Sequence, residues 1–185
     1  KELPFIPRAY IWPVHVKNAS YVALFIGFYN AIYFNSDNCG GANNMTERTK
    51  ALSSFIANMK YEDIPTDVVD CGKMLTLHCA GVALAAKGQS PVVSSIASAQ
   101  DLGTCGEKQA TLWGVGKAPL MSSIIANTTA SDTLDWEDCS WTGHPTASMV
   151  PVALGMCEAY GKTGRDYLTA MIGGFEVYKS EAKRS

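Results

Sequence analysis

The chain has 185 residues, of which 47% are hydrophobic and 17% charged, and a formal net charge of −2. That size and apolar content suit one soluble domain with a substantial core, and a near-neutral chain without a basic cluster lacks the electrostatic footprint that a nucleic-acid backbone needs. The six cysteines, Cys39, Cys71, Cys79, Cys105, Cys139 and Cys157, form no C-x-x-C pair and no Cys/His zinc spacing, so they read as reduced core or near-core thiols rather than a disulfide framework.

Residues 1–44 differ in texture from the rest. They hold Pro4, Pro7 and Pro13 but only two acids, Glu2 and Asp37. The run "YVALFIGFYNAIYF", 21–34, is apolar but, at fourteen residues, shorter than the roughly 20 that a membrane-spanning helix requires. Lys1, Arg8 and Lys17 precede it as in a signal peptide, yet "NSDNCGGANN" after it offers no clean cleavage site. Three readings stay open for this leader: a targeting or membrane-associating segment, an ordered extension, or sequence foreign to the functional protein. A helical domain is expected over 45–185.

From Met45 the apolar period is helical. In "TERTKALSSFIANMKY" Leu52, Phe55, Ile56 and Met59 fall on one helix face. "EDIP" breaks that helix, and Pro65 suits the first turn of a second over about 65–87, with Val68, Leu75, Cys79, Val82 and Ala86 inward and His78 packed among them. Its many small residues allow close approach by a neighbour, and Gly88 can stop it. A short helix is expected over 91–101. "KQATLWGVGKAP", 108–119, has two glycines to turn a hairpin. Helices should follow over about 119–133, through Met121, Ile124, Ile125 and Thr128, and over 145–160, with Met149, Val152, Ala153 and Met156 sharing a face. The last should span 164–180, capped by Thr163 with Asp166 at its third position, and buried through Leu168, Met171, Ile172, Phe175 and Val177. The fold class is therefore an all-α multi-helix bundle.

Between two of these helices lies "LDWEDCSWTGHPTAS", 134–148, with three acids, a thiol and a histidine. Asp135, Glu137 and Asp138 read either as a solvated helix end or as functional acids. His144 precedes a helix N-terminus, where free N–H groups and a partial positive charge favour a carboxylate ligand. An imidazole there can give or take a proton. Asp135, Asp138 and His144 also form a candidate two-carboxylate, one-histidine metal set. Cys139 with His144 as base is a further candidate nucleophile.

The segment "IANTTASDTLDWEDCSWTGHPTASMVPVALGMCEAYGKTGRDYLTAMIGGFEV", 125–177, resembles the MmgE/PrpD (2-methylcitrate dehydratase) family. The likeness is carried by Asn127, Leu134-Asp135-Trp136-Glu137-Asp138, His144-Pro145-Thr146, Pro151-Val152-Ala153-Leu154, Glu158, Gly161, Gly164 and Gly174-Phe175-Glu176-Val177. Upstream, "ATLWGVGKAPLMSSIIAN" and "IPTDVVDCGKMLTLHCAGVALAAKG" are similar to the family's approach to the same region, so the likeness covers about 46–178.

The resemblance implies a helical domain preceding an α+β lid. It implies a lyase that needs neither metal nor cofactor and acts on a small polycarboxylate by proton transfer beside a carboxylate. Family members include 2-methylcitrate dehydratase, cis-aconitate decarboxylase and an iminodisuccinate epimerase, usually dimeric and cytoplasmic or mitochondrial. It assigns Asp135 and His144 as catalytic residues and Asp138, Cys139 and Thr146 as substrate-contacting ones. Cys139 stands where the family has threonine, Asp132 where it has histidine and Thr128 where it has glycine. Because family members are more than twice as long, this chain is expected to be an N-terminal portion without the lid and weakly active or inactive alone. The alternative is a non-catalytic helical module that associates with a partner chain.

Overall fold

A computed structural model describes residues 47–101, 108–139 and 143–182. The leader, with His15 and Cys39, and also Cys105, lie outside the described residues, so the expectations placed on them stay there. The chain divides into two compact units, Lys1–Lys60 and Tyr61–Ser185. In the first, α1 spans Glu47–Asn58. Ile56 is buried and Leu52, Phe55 and Met59 are half-buried, and the Asn58 amide donates back to the Ser54 carbonyl at 2.7 Å.

The second unit is mostly helical. Helix α2 runs Thr66–Ala85, with Pro65 at its N-cap, and passes through a 3-10 turn, Ala86–Gly88. Helix α3 (Ser90–Asp101) follows, then strands β1 (Gln109–Leu112) and β2 (Gly116–Pro119), then α4 (Leu120–Asp132), α5 (Pro145–Ala159) and α6 (Gly164–Ala182). The strands pair antiparallel, with Gln109 opposite Pro119 and Leu112 opposite Gly116. Gly114, at φ 69°, makes the reversal that a side chain would resist. Among the described residues the hairpin and the helices therefore lie where periodicity and punctuation place them.

Helix α4 is the hub, packing against α2, α3, α5 and β1. Its buried face consists of Ser123, Ile124, Ala126, Asn127, Ala130 and Ser131. Met121 and Ile125, expected inward, are exposed instead. A helix surrounded by neighbours must present small residues on its inner side, because bulk there would hold them apart. Gly155 of α5 shows how close the approach is: a Cβ on it would stand 3.0 Å from Cγ1 of Ile124. Ala99, Leu112, Ala118 and Ala126 form one apolar cluster, and Ala83, Ala86, Val92 and Ala130 another.

Polar atoms on the inner face of α4 are all engaged, as burial requires. The Ser123 hydroxyl, fully buried, reaches the carbonyls of Ala110 at 3.0 Å and Ala118 at 3.2 Å. The Asn127 amide donates to the Thr111 carbonyl at 2.9 Å and accepts from the Trp113 N–H at 3.0 Å, so it completes one edge of β1. The Cys79 thiol donates to Ser131 Oγ at 3.2 Å, and Ser131 donates to the Asn127 carbonyl at 2.8 Å. Burial pushes the Cys79 thiol up to about 11, so it stays protonated and inert. From α5, Glu158 accepts from both the N–H and the hydroxyl of Thr111, each at 2.7 Å, and pairs with Lys117 on β2.

Not every thiol is interior. Cys71 and Cys139 are exposed, against the expectation for both. Helix α2 is apolar on two opposite sides: Val69, Gly72, Cys79, Val82 and Ala83 face inward, whereas Met74 (71% exposed), Leu77 (77%) and Leu84 face outward. Residues 66–88 are long and apolar enough to cross a membrane by length and composition. In this fold the segment packs on α4, α5 and α6, with Thr76 hydrogen-bonded to Tyr167 at 2.6 Å.

The N-terminus of α6 carries the predicted cap. The Asp166 carboxylate accepts from the Thr163 N–H at 2.9 Å and its hydroxyl at 2.8 Å, while the Asp166 N–H donates to Thr163 Oγ1 at 3.2 Å. These bonds hold the Asp166 carboxyl below its ordinary value of 3.8. A depressed acid stabilises the fold above its unfolded pKa and loses that contribution as pH falls through the folded pKa. Asp166→Asn is expected to cost about 0.3–1 kcal/mol near neutral pH, the worth of an exposed acid at a helix N-terminus. Urea unfolding should show the gap to the native chain closing as pH drops below 3.8.

Candidate active site

Helix α4 ends at Asp132, and Thr133 forms its C-cap. The Asp135 N–H then donates to the Asp132 carbonyl at 3.3 Å, and Asp135 turns to φ 54°, the one non-glycine residue with positive φ among those described. Aspartate tolerates this left-handed conformation better than most residues, but at a cost of about 1–2 kcal/mol. A position after a helix end that glycine would fill without strain here holds an acid.

The chain returns at Gly143 to His144, the N-cap of α5, with Pro145 at its first turn. The His144 side chain makes no capping hydrogen bond, so its ring is free for other partners. It lies between two acids. Nε2 stands 3.7 Å from Asp135 Oδ1, and Nδ1 stands 3.3 Å from Glu137 Oε1. The two acids differ sharply in environment: the Asp135 side chain is 85% exposed, that of Glu137 only 1%, and the imidazole between them 37%. Burial pushes the Glu137 carboxyl above its usual range, and the Asp132 carboxyl adds to this while His144 opposes it. Among the described residues neither Glu137 oxygen nor His144 Nδ1 has a hydrogen-bond partner of ordinary geometry.

The other expected site residues divide. Asp138 is half-buried, with Oδ1 buried and unpartnered among the described residues. Cys139 is exposed at the end of the described loop. Thr146 is fully buried beside Cys79, whose thiol donates to its carbonyl at 3.7 Å. It faces the core, not solvent, because the second residue of α5 points toward α2. His78 was expected to be packed, yet it is exposed, and its Nε2 lies 2.8 Å from the Trp136 carbonyl, tying the loop to α2. Tyr178 also reaches this region: a Cβ on Gly143 would stand 2.9 Å from its hydroxyl. His78 and Tyr178 thus approach a region that the sequence marked through Asp135, Glu137, Asp138, Cys139, His144 and Thr146. Nothing local marks these two, since each owes its place to a contact across the fold.

Asp135, Glu137 and His144 each offer a ligand atom within 4.8 Å of the others, enough in distance alone for a metal ion. This differs from the anticipated set, because Glu137 replaces Asp138. One imidazole gives one nitrogen to an ion, and here the two acids face opposite ring nitrogens. By distance a shared ion needs no rearrangement, but the nearest ring nitrogen differs for the two acids. The geometry as it stands suits proton transfer, with one ring nitrogen buried and the other facing solvent beside an exposed acid.

No curated protein and no solved structure matches this chain. A family model does: the MmgE/PrpD N-terminal domain matches residues 50–182, spanning α2 through α6 and the His144 loop. On that match, which covers most of its length, the chain belongs to the MmgE/PrpD family.

Proposed function

We propose that this domain supplies the acid–base part of a lyase site for a small polycarboxylate of the 2-methylcitrate or cis-aconitate kind. The observation that carries this reading is His144, held at a helix N-terminus between an exposed and a buried acid. Its Nε2 side is open, so a substrate C–H or leaving hydroxyl can approach it. Asp135 lies beside that opening and is placed to hydrogen-bond the substrate. The N-terminal amides of α5 favour a carboxylate nearby. Asp138 and Cys139, on the same loop, are the further substrate contacts in this reading, and Thr146 supports the helix from behind.

Charge sets a limit. Asp132, Asp135, Glu137 and Asp138 crowd the loop, while the ion pairs of Lys73, Lys117, Arg165 and Lys179 among the described residues are with other acids: Asp70, Glu158, Glu62 and Glu176. A bound polycarboxylate needs cations in numbers that match its charge. The described parts of the loop, 134–139 and 143–148, hold no lysine or arginine, so these cations must come from elsewhere in the assembled site. Turnover by this chain alone is therefore expected to fall well below the common enzymatic range of about 1–10³ s⁻¹. The test is deuterium exchange and dehydration of 2-methylcitrate, and decarboxylation of cis-aconitate, by the whole chain. Turnover of either substrate at an ordinary enzymatic rate by this chain alone, or residual exchange that persists unchanged in His144→Gln, would overturn the reading.

The second reading, a helical module that associates with itself or a partner, is favoured by one feature. Met74, Leu77 and Leu84 all lie exposed on the outward side of α2. Sedimentation over a range of concentrations, with Leu77→Lys as control, separates the two. Loss of self-association without loss of exchange would divide assembly from chemistry.

A further inference from the structure

We infer that Glu137 is the positioning residue for His144: it holds the proton on Nδ1 and leaves Nε2 as the ring nitrogen that exchanges protons. The inference deepens the proposed lyase reading and rests on it for its catalytic meaning, but the geometry is independent of any substrate. The Glu137 side chain is almost fully enclosed, and its Oε1 lies 3.3 Å from Nδ1. A buried carboxylate oxygen without another hydrogen bond is costly, and Nδ1 is likewise buried and otherwise unpartnered among the described residues. Placing the proton on Nδ1 answers both deficits with one charge-assisted contact. On the opposite side, Asp135 stands 3.7 Å from Nε2, beyond hydrogen-bond range, and is exposed. Among the described residues Nε2 therefore has no protein hydrogen bond, and a water or substrate atom can reach it from the solvent side.

The two acids thereby acquire separate roles from their surroundings. Glu137 acts through the imidazole, and Asp135 acts toward the substrate. Asp132 is the group that can reverse this arrangement, because its carboxyl lies close to Glu137 and favours a proton there. A protonated Glu137 would donate to Nδ1 and put the ring proton on Nε2 instead.

Long-range proton–nitrogen NMR of the complete ¹⁵N-labelled chain reads the tautomer directly, with His144 assigned by its loss in His144→Gln. No substrate is needed, so the result stands apart from whether lyase turnover is found. The expected result is neutral His144 with hydrogen on Nδ1. Glu137→Ala should lower the ratio of Nδ1–H to Nε2–H forms by about ten-fold or more, the worth of a hydrogen bond to a charged group. Glu137→Gln, whose amide oxygen can still accept, should keep the native tautomer, and it serves as the folded comparison if the alanine variant does not fold. Hydrogen on Nε2 in the native chain overturns the inference. So does an unchanged tautomer in a folded Glu137→Ala protein.

Discussion

His144→Gln is expected to slow deuterium exchange into substrate by about 10²–10⁴-fold, the usual contribution of a positioned acid–base group, while leaving stability nearly unchanged. The two halves of this expectation have separate causes. Glutamine cannot carry a proton on and off near neutral pH, so the chemistry goes. The His144 side chain makes no cap hydrogen bond to lose, and a glutamine amide can still donate toward the buried Glu137 oxygen that Nδ1 faces. His144→Ala differs instructively. It removes the only close ion-pair partner found for Glu137 among the described residues, at a cost of about 1–3 kcal/mol for the orphaned group. Exchange rates with thermal melts on both variants check the pair. A His144→Gln protein that exchanges at the native rate would remove His144 from the mechanism.

Asn127→Leu is expected to be the most damaging single change to the fold. Leucine has nearly the right size, so the loss is one of hydrogen bonds rather than volume. The side chain of Asn127 serves two main-chain groups of the hairpin, the Thr111 carbonyl of β1 and the Trp113 N–H just after it. Each group left without a partner in this part-buried setting costs about 1–3 kcal/mol, against a total stability of only about 5–15 kcal/mol for a typical domain. Urea unfolding measures the drop. Glu158→Gln should cost less, because its single amide oxygen can still accept from the Thr111 N–H, while the Lys117 pair and acceptance from the Thr111 hydroxyl are lost. A stable, native-like Asn127→Leu protein would mean that the hairpin does not depend on α4.

The helices were legible for a local reason. Leu168, Met171, Ile172 and Phe175 repeat at the spacing of one helix face, Thr163 and Asp166 mark a start, and Gly114 marks a reversal. These signals lie within a few residues of the structure they specify. The inward face of α4 was less legible. Met121 and Ile125 are its bulkiest apolar residues together with Ile124, yet only Ile124 is buried. Hydrophobicity alone favours all three. Being enclosed by four elements favours serine, alanine and asparagine instead, and that enclosure is a property of the whole fold.

The candidate site was legible in its members but not in its wiring. Asp135 and His144 could be paired from the motif they carry. Whether the neighbouring acid Glu137 points to solvent or to the core could not be, since a left-handed turn at Asp135 resets the direction of everything after it. The same holds for His78, which sits mid-helix among apolar neighbours but on the outward side, where it reaches the Trp136 carbonyl.

By itself, then, the order of residues determined where each helix and the hairpin begin and end, and which family pattern the chain carries, because periodicity, caps and turns act over a few bonds. Only the tertiary structure decided that Glu137 is enclosed while Asp135 is open, and so which nitrogen of His144 each acid faces. Enclosure depends on helices far apart in the chain meeting around one loop, and no short stretch of sequence contains that meeting.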